Sequence, residues 1–107
     1  MKNMEHAEIM VLVYTTIQVY ETAIDLAEKA VNAGHAGCVN ITKHGTSVYK
    51  WKGALLNEDE CFVLFKTTKE KSAGLVNFIH EHHPHEMPAC VVIDAHTSPS
   101  FIEFLKG

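Results

Sequence analysis

Three short runs of almost unbroken apolar residues set the terms for this chain: 9–14 (IMVLVY), 61–65 (CFVLF) and 89–94 (ACVVID). Each is too short for a buried helix and rich in β-branched or aromatic side chains. Each therefore reads as a strand covered on both faces. Between them lie longer stretches of helical period. Tyr20, Ile24, Ala27 and Val31 recur on one face, with Glu21, Asp25, Glu28, Lys29 and Asn32 opposite. Asp25 and Lys29 form an acid-first i,i+4 pair. Gly34 stands where a left-handed residue would end the helix. Thr15 with Gln18 reads as a capping box for this helix, and Thr67 with Glu70 as one for a second. The second helix runs to about His82, buries Leu75, Val76, Phe78 and Ile79, and is stopped by Pro84. Ser98 and Pro99 open a short terminal helix carrying Phe101, Ile102, Phe104 and Leu105. Residues 38–41 and 47–51 are extended pieces around Lys43, His44 and Gly45, forming either a hairpin or one long strand with a bend.

The element order is β-α-β-β-α-β plus a C-terminal helix. It predicts an α+β, ferredoxin-like antiparallel sheet with both main helices on one face. At 107 residues the chain is one domain, 1–107, with residues 1–7 expected as a loose polar leader. Strands this apolar should not leave the second sheet face in water, so an oligomer is expected.

Composition excludes several roles. Nine lysines, no arginine and thirteen acids give a net charge of −4. This argues against nucleic acid or an anionic membrane as partner. The longest stretch free of charged residues and histidine, 9–20, contains Thr15, Thr16 and Gln18, and is too short and too polar to span a bilayer. Glu5 and Glu8 break the run a signal peptide would need. Three widely spaced cysteines read as reduced thiols, and a cytoplasmic location is expected.

Eight histidines are present, four of them within 80–86 (HEHHPHE). Imidazoles interleaved with carboxylates fit a metal-binding segment, and His83 and His85 would point the same way if extended. The same residues fit a helix end where imidazoles meet the dipole. His35 and Cys38 give a His-x-x-Cys spacing whose soft and borderline donors suit copper or zinc. Cys38 fits equally well as a small apolar residue entering a strand, as Cys61 and Cys90 do in theirs. Lys66, between a core strand and a helix, is placed to hold an anion or simply to meet solvent. Tyr49 and Trp51 alternate on one strand face, as cross-strand packing or as an aromatic floor to a pocket. No nucleophile elbow, phosphate-cradling glycine loop or dinucleotide fingerprint is present, so an enzyme is not expected.

Four segments occur in an order with a wider resemblance: 36–41 (AGCVNI), 47–53 (SVYKWKG), Glu60 leading a strand into Lys66 and Thr67, and 83–88 (HPHEMP). In register, from Ile9 to the C-terminal helix, they resemble the CutA family of divalent-cation tolerance proteins. The resemblance implies a small ferredoxin-like subunit in a PII-like homotrimer, mostly cytosolic, tied to tolerance of copper and other divalent metals. It implies Cys38 as a metal ligand, with Tyr49, Trp51, Lys66, His83 and Glu86 near a cleft between subunits. His85 stands where the family usually has tyrosine, offering an imidazole in place of a phenol. The expected function is therefore binding or sensing of copper or another divalent transition metal by Cys38, His83, His85 and Glu86. The alternative is a PII-like module that takes a small anionic ligand over Tyr49, Trp51 and Lys66.

Overall fold

The computed structural model describes residues 6–107. Most of the expected leader, residues 1–5, lies outside them. Seven elements follow in order: β1 (Glu8–Ile17), α1 (Tyr20–Asn32), β2 (Cys38–Trp51), β3 (Ala54–Thr68), α2 (Ser72–His82), β4 (Val91–Thr97) and α3 (Pro99–Lys106). The strands form one antiparallel sheet in the order β2-β3-β1-β4. No helix among the described residues is long and apolar enough to cross a membrane.

Both threonines expected to cap helices belong to strands. β1 continues through Thr15 and Thr16 because it stays paired with β3 as far as Ile17 opposite Cys61. β3 likewise continues through Thr67 and Thr68, paired with Val11 and Met10. Threonine suits a pleated, half-covered surface, and here the pairing outweighs the capping option. The helices start later, behind Val19 and Lys71, with no side-chain cap. Ser98 does cap α3, accepting from the Phe101 N–H, with Pro99 in the first turn. α1 ends as expected. Gly34 has φ +81°, its N–H donates to Val31, and the His35 N–H donates to Ala30, which satisfies the last carbonyls.

The inward stripe of α1 is Ala23, Leu26, Ala27 and Ala30, not the expected Tyr20, Ile24, Ala27 and Val31. Small alanines let the helix sit close on the sheet. The larger side chains of the neighbouring stripe are displaced to its flank, and Val31 is 43% exposed. There Ile24 and Val31 border an open groove of about 740 Å³ with Val39 and Ile41 of β2.

Pairing assigns the sheet faces. Val11, Val13, Thr15 and Ile17 of β1 face α1 and α2 with Cys61, Val63, Phe65 and Thr67 of β3. Leu75 and Ile79 of α2 complete this core. The second face carries Met10, Leu12, Tyr14, Phe62, Leu64 and Lys66. It is bare only in part, because α3 lies over one end and packs Ile102 and Leu105 against Met10, Leu12 and Ala95. Tyr14, Phe62 and Leu64 stay half-buried, and Val91 and Ile93 of the edge strand are exposed.

β2 is one long strand with an irregularity between Thr42 and Gly45. Three steps along β2 there match two along β3, so one residue is extra, as in a β-bulge. The two strands run on past the end of β1 as an arm that turns at Lys52 and Gly53, both with positive φ. The acidic stretch 58–60 lies within that arm.

Candidate functional site

The bulge decides which side chains share a face. Strict alternation from Cys38 would place Val48 and Lys50 with it. The extra residue gives that face to Ser47, Tyr49 and Trp51, paired with Glu58, Leu56 and Ala54. Cys38, Lys66, Tyr49 and Trp51 therefore all lie on the sheet face turned away from α1 and α2. Cys38 and Lys66 are directly opposite each other and half-buried near α3. The Lys66 Nζ stands 5.7 Å from the centre of the Phe101 ring. Leu56, the partner of Tyr49, is ~33 Å farther along β3 at about 3.3 Å per residue. Within one chain the arm aromatics and Lys66 are not brought together.

The Tyr49 hydroxyl donates to Glu58, whose other oxygen accepts from the Gln18 side-chain amide. This carboxylate ties the arm to the corner between β1 and α1. The hydrogen bond to Glu58 raises the Tyr49 phenol above its usual value, and the negative charge of Glu60 adds to the effect. Trp51 is 62% exposed near the tip.

The histidines of 80–85 diverge. His82 stacks on Phe78 at 4.1 Å, and His35 approaches the same ring at 4.9 Å. His83, at the end of α2, turns inward and is 8% exposed. Its Nε2 lies 2.9 Å from the Thr16 carbonyl oxygen, and its Nδ1 accepts the His85 N–H at 3.1 Å. An imidazole that accepts at Nδ1 is neutral and donates from Nε2. Burial lowers its pKa below the ordinary histidine value, and the neighbouring imidazoles of His85 and His80 act in the same direction. A metal at either nitrogen would displace one of these bonds. His85 and Glu86 are exposed, and His85 borders a pocket of about 240 Å³ with Gln18, Thr22 and Pro84.

Cys38 is level with Leu12 on β1, whereas His83 is bonded to Thr16, ~13 Å farther along the strand. Among the described residues no group of three or more His, Cys, Asp or Glu side chains converges to hold a metal. Cys61 is buried, with its thiol 3.6 Å from the Lys43 carbonyl oxygen. Cys90 is half-buried against the main core, which pushes its thiol pKa up. Sequence reading overlooked two residues here. Gln18 reads in the sequence as part of a capping box and Glu58 carries no local signal, and only the folded arrangement of β2 and β3 against the end of β1 links both to Tyr49.

Comparison with known proteins agrees with this architecture. The chain is 31% identical over 98 residues to the divalent-cation tolerance protein CutA of Salmonella newport, covering 91% of this chain and 85% of that protein. The structure of CutA from Synechococcus elongatus superposes with a TM-score of 0.88 at 32% identity, over 97% of this chain and 96% of that one. The divalent ion tolerance protein CutA1 from Ehrlichia chaffeensis gives 0.86 at 32% identity, over 90% and 91%. The CutA1 divalent ion tolerance family matches residues 11–107, and this chain belongs to that family.

Proposed function

We propose that this protein serves metal tolerance in the cytosol as a homotrimer that binds or senses a divalent transition metal, copper foremost, without turning over a substrate. The observation that carries the reading is the shared sheet face. Cys38, Lys66, Tyr49 and Trp51 lie on one side of the sheet, strung out farther than one chain can close. The same side holds the half-buried Tyr14, Phe62 and Leu64. Copies packed on this apolar surface would bring one chain's arm towards another chain's Cys38 end.

In this reading the Cys38 thiolate supplies the soft donor that favours copper over magnesium or calcium. The exposed His85 and Glu86 supply the remaining donors. His83, engaged at both nitrogens, fixes the loop that presents them. The ligands must be deprotonated, so affinity falls in acid.

Native mass spectrometry of reduced, metal-stripped protein, with and without copper, tests the reading. The expected result is a trimer that takes up a defined number of copper ions and loses them in Cys38→Ser. Copper uptake unchanged in Cys38→Ser removes that ligand. A trimer that ignores copper but is stabilised by small anions, with Lys66→Ala abolishing the response, would transfer the function to an anion-binding cleft.

A further inference from the structure

Every second residue of β3 on the face away from α1 and α2 forms a strip: Glu60, Phe62, Leu64 and Lys66. It is acidic at one end, apolar in the middle and basic at the other, ~20 Å in all. All four residues are half-buried. Neither charge is answered within the described residues, where the ion pairs are Asp25–Lys29, Lys69–Asp94 and Glu103–Lys106. Glu58, the next acid along the same face, is already engaged by Tyr49 and Gln18. Among the described residues, Lys66 is the only lysine that the paired strand positions place on this face.

Covering Phe62 and Leu64 with another molecule strips water from the charges at both ends of the strip. A charge buried without a partner is strongly unfavourable, so whatever covers the strip must supply an anion to Lys66 and a cation to Glu60. A second copy of this chain carries both on the strip itself. We infer that Lys66 of each chain pairs with Glu60 of the next copy, which makes the interface self-complementary in charge as well as in apolar surface. The inference rests on the oligomeric reading above and names the contact that sets its register. In a head-to-tail ring every Lys66 meets a neighbour's Glu60, whereas packing that opposes equal ends sets lysine against lysine.

The test is charge reversal on the full chain: Glu60→Lys, Lys66→Glu and the double variant, followed by native mass spectrometry and sedimentation over a dilution series. Each single reversal should raise the concentration of half-dissociation at least about tenfold, and the double variant should recover most of it. Where a reversal fails to fold by circular dichroism, Glu60→Gln and Lys66→Met serve instead. Each alone should weaken assembly, and the two together should weaken it less than their separate effects combined. Single variants that assemble like wild type, or a double variant without rescue, overturn the pairing and leave the oligomer standing. A defect confined to Lys66 variants, with wild-type assembly strengthened by inorganic phosphate, also overturns it, because a small anion then answers the lysine. A wild-type monomer overturns the oligomeric reading itself.

Discussion

The imidazole of His83 meets the carbonyl oxygen of Thr16 at 2.9 Å, so the loop that follows α2 is pinned to the far end of β1. The Thr16 bond is donated from Nε2 and by itself favours the charged ring, whereas the His85 N–H bond needs Nδ1 free and so a neutral one; burial is the larger effect. Burial lowers the folded-state pKa below the unfolded value of 6.5. The unfolded chain therefore binds the proton more readily, and stability rises with pH through this window. The contribution of His83 is complete above about pH 6.5 and is lost as pH falls towards the folded value. Urea midpoints followed from about pH 8 to about pH 5 should fall, and His83→Gln should flatten that dependence. His83→Ala should cost about 1–3 kcal/mol near neutrality by leaving the Thr16 carbonyl unpaired.

Gly45 is required for space. A Cβ there would lie 2.5 Å from the Phe62 ring and 2.8 Å from the Glu60 carbonyl oxygen. Gly45→Ala should destabilise the fold by about 1–3 kcal/mol in thermal or urea unfolding. Adding Phe62→Leu should return part of the loss, because the ring is the closest obstacle.

Lys71 holds down the end of α3. Its Nζ donates to the Leu105 carbonyl at 3.3 Å and the Lys106 carbonyl at 2.9 Å. Lys71→Met should cost about 1 kcal/mol and speed amide exchange in α3 before any other helix.

The Tyr49 phenol should titrate above an ordinary tyrosine because Glu58 accepts its proton and repels the phenolate. A phenolate absorbance titration of Glu58→Gln should show one tyrosine ionising at lower pH than in wild type. Tyr49→Phe should remove that transition.

Local signals in the sequence located most of the elements. Ser98 with Pro99 starts α3, Gly34 ends α1, and Asp25 pairs with Lys29 at 2.9 Å. The misreadings share one cause. Thr15 and Thr67 follow apolar runs, where a helix cap and a further strand residue look alike, and pairing between β1 and β3 decides for the strand. Pairing also places β4 two residues late, at Val91–Thr97, where it matches Tyr14 to Glu8. For the candidate site, alternation along β2 was legible for Tyr49 and Trp51. Their alignment with Cys38 was not, because it depends on the extra residue before Gly45. The inward turn of His83 depends on a carbonyl that no side-chain pattern announces.

The arm has a further consequence for the order in which the chain assembles. The β2–β3 ladder grows outward from a tight turn, beginning with Trp51 opposite Ala54, so its first contacts close only a short loop. β4 has to find β1 across nearly the whole length of the chain, from Tyr14 opposite Val91 to Glu8 opposite Thr97. Contacts between distant parts of the chain form slowly, so the hairpin is expected early and the β1–β4 edge last. During that interval the outer edge of β1 is unpaired while β3 is already ordered. A newly made chain is then most open to pairing with the wrong strand, and crowded synthesis would expose the hazard first.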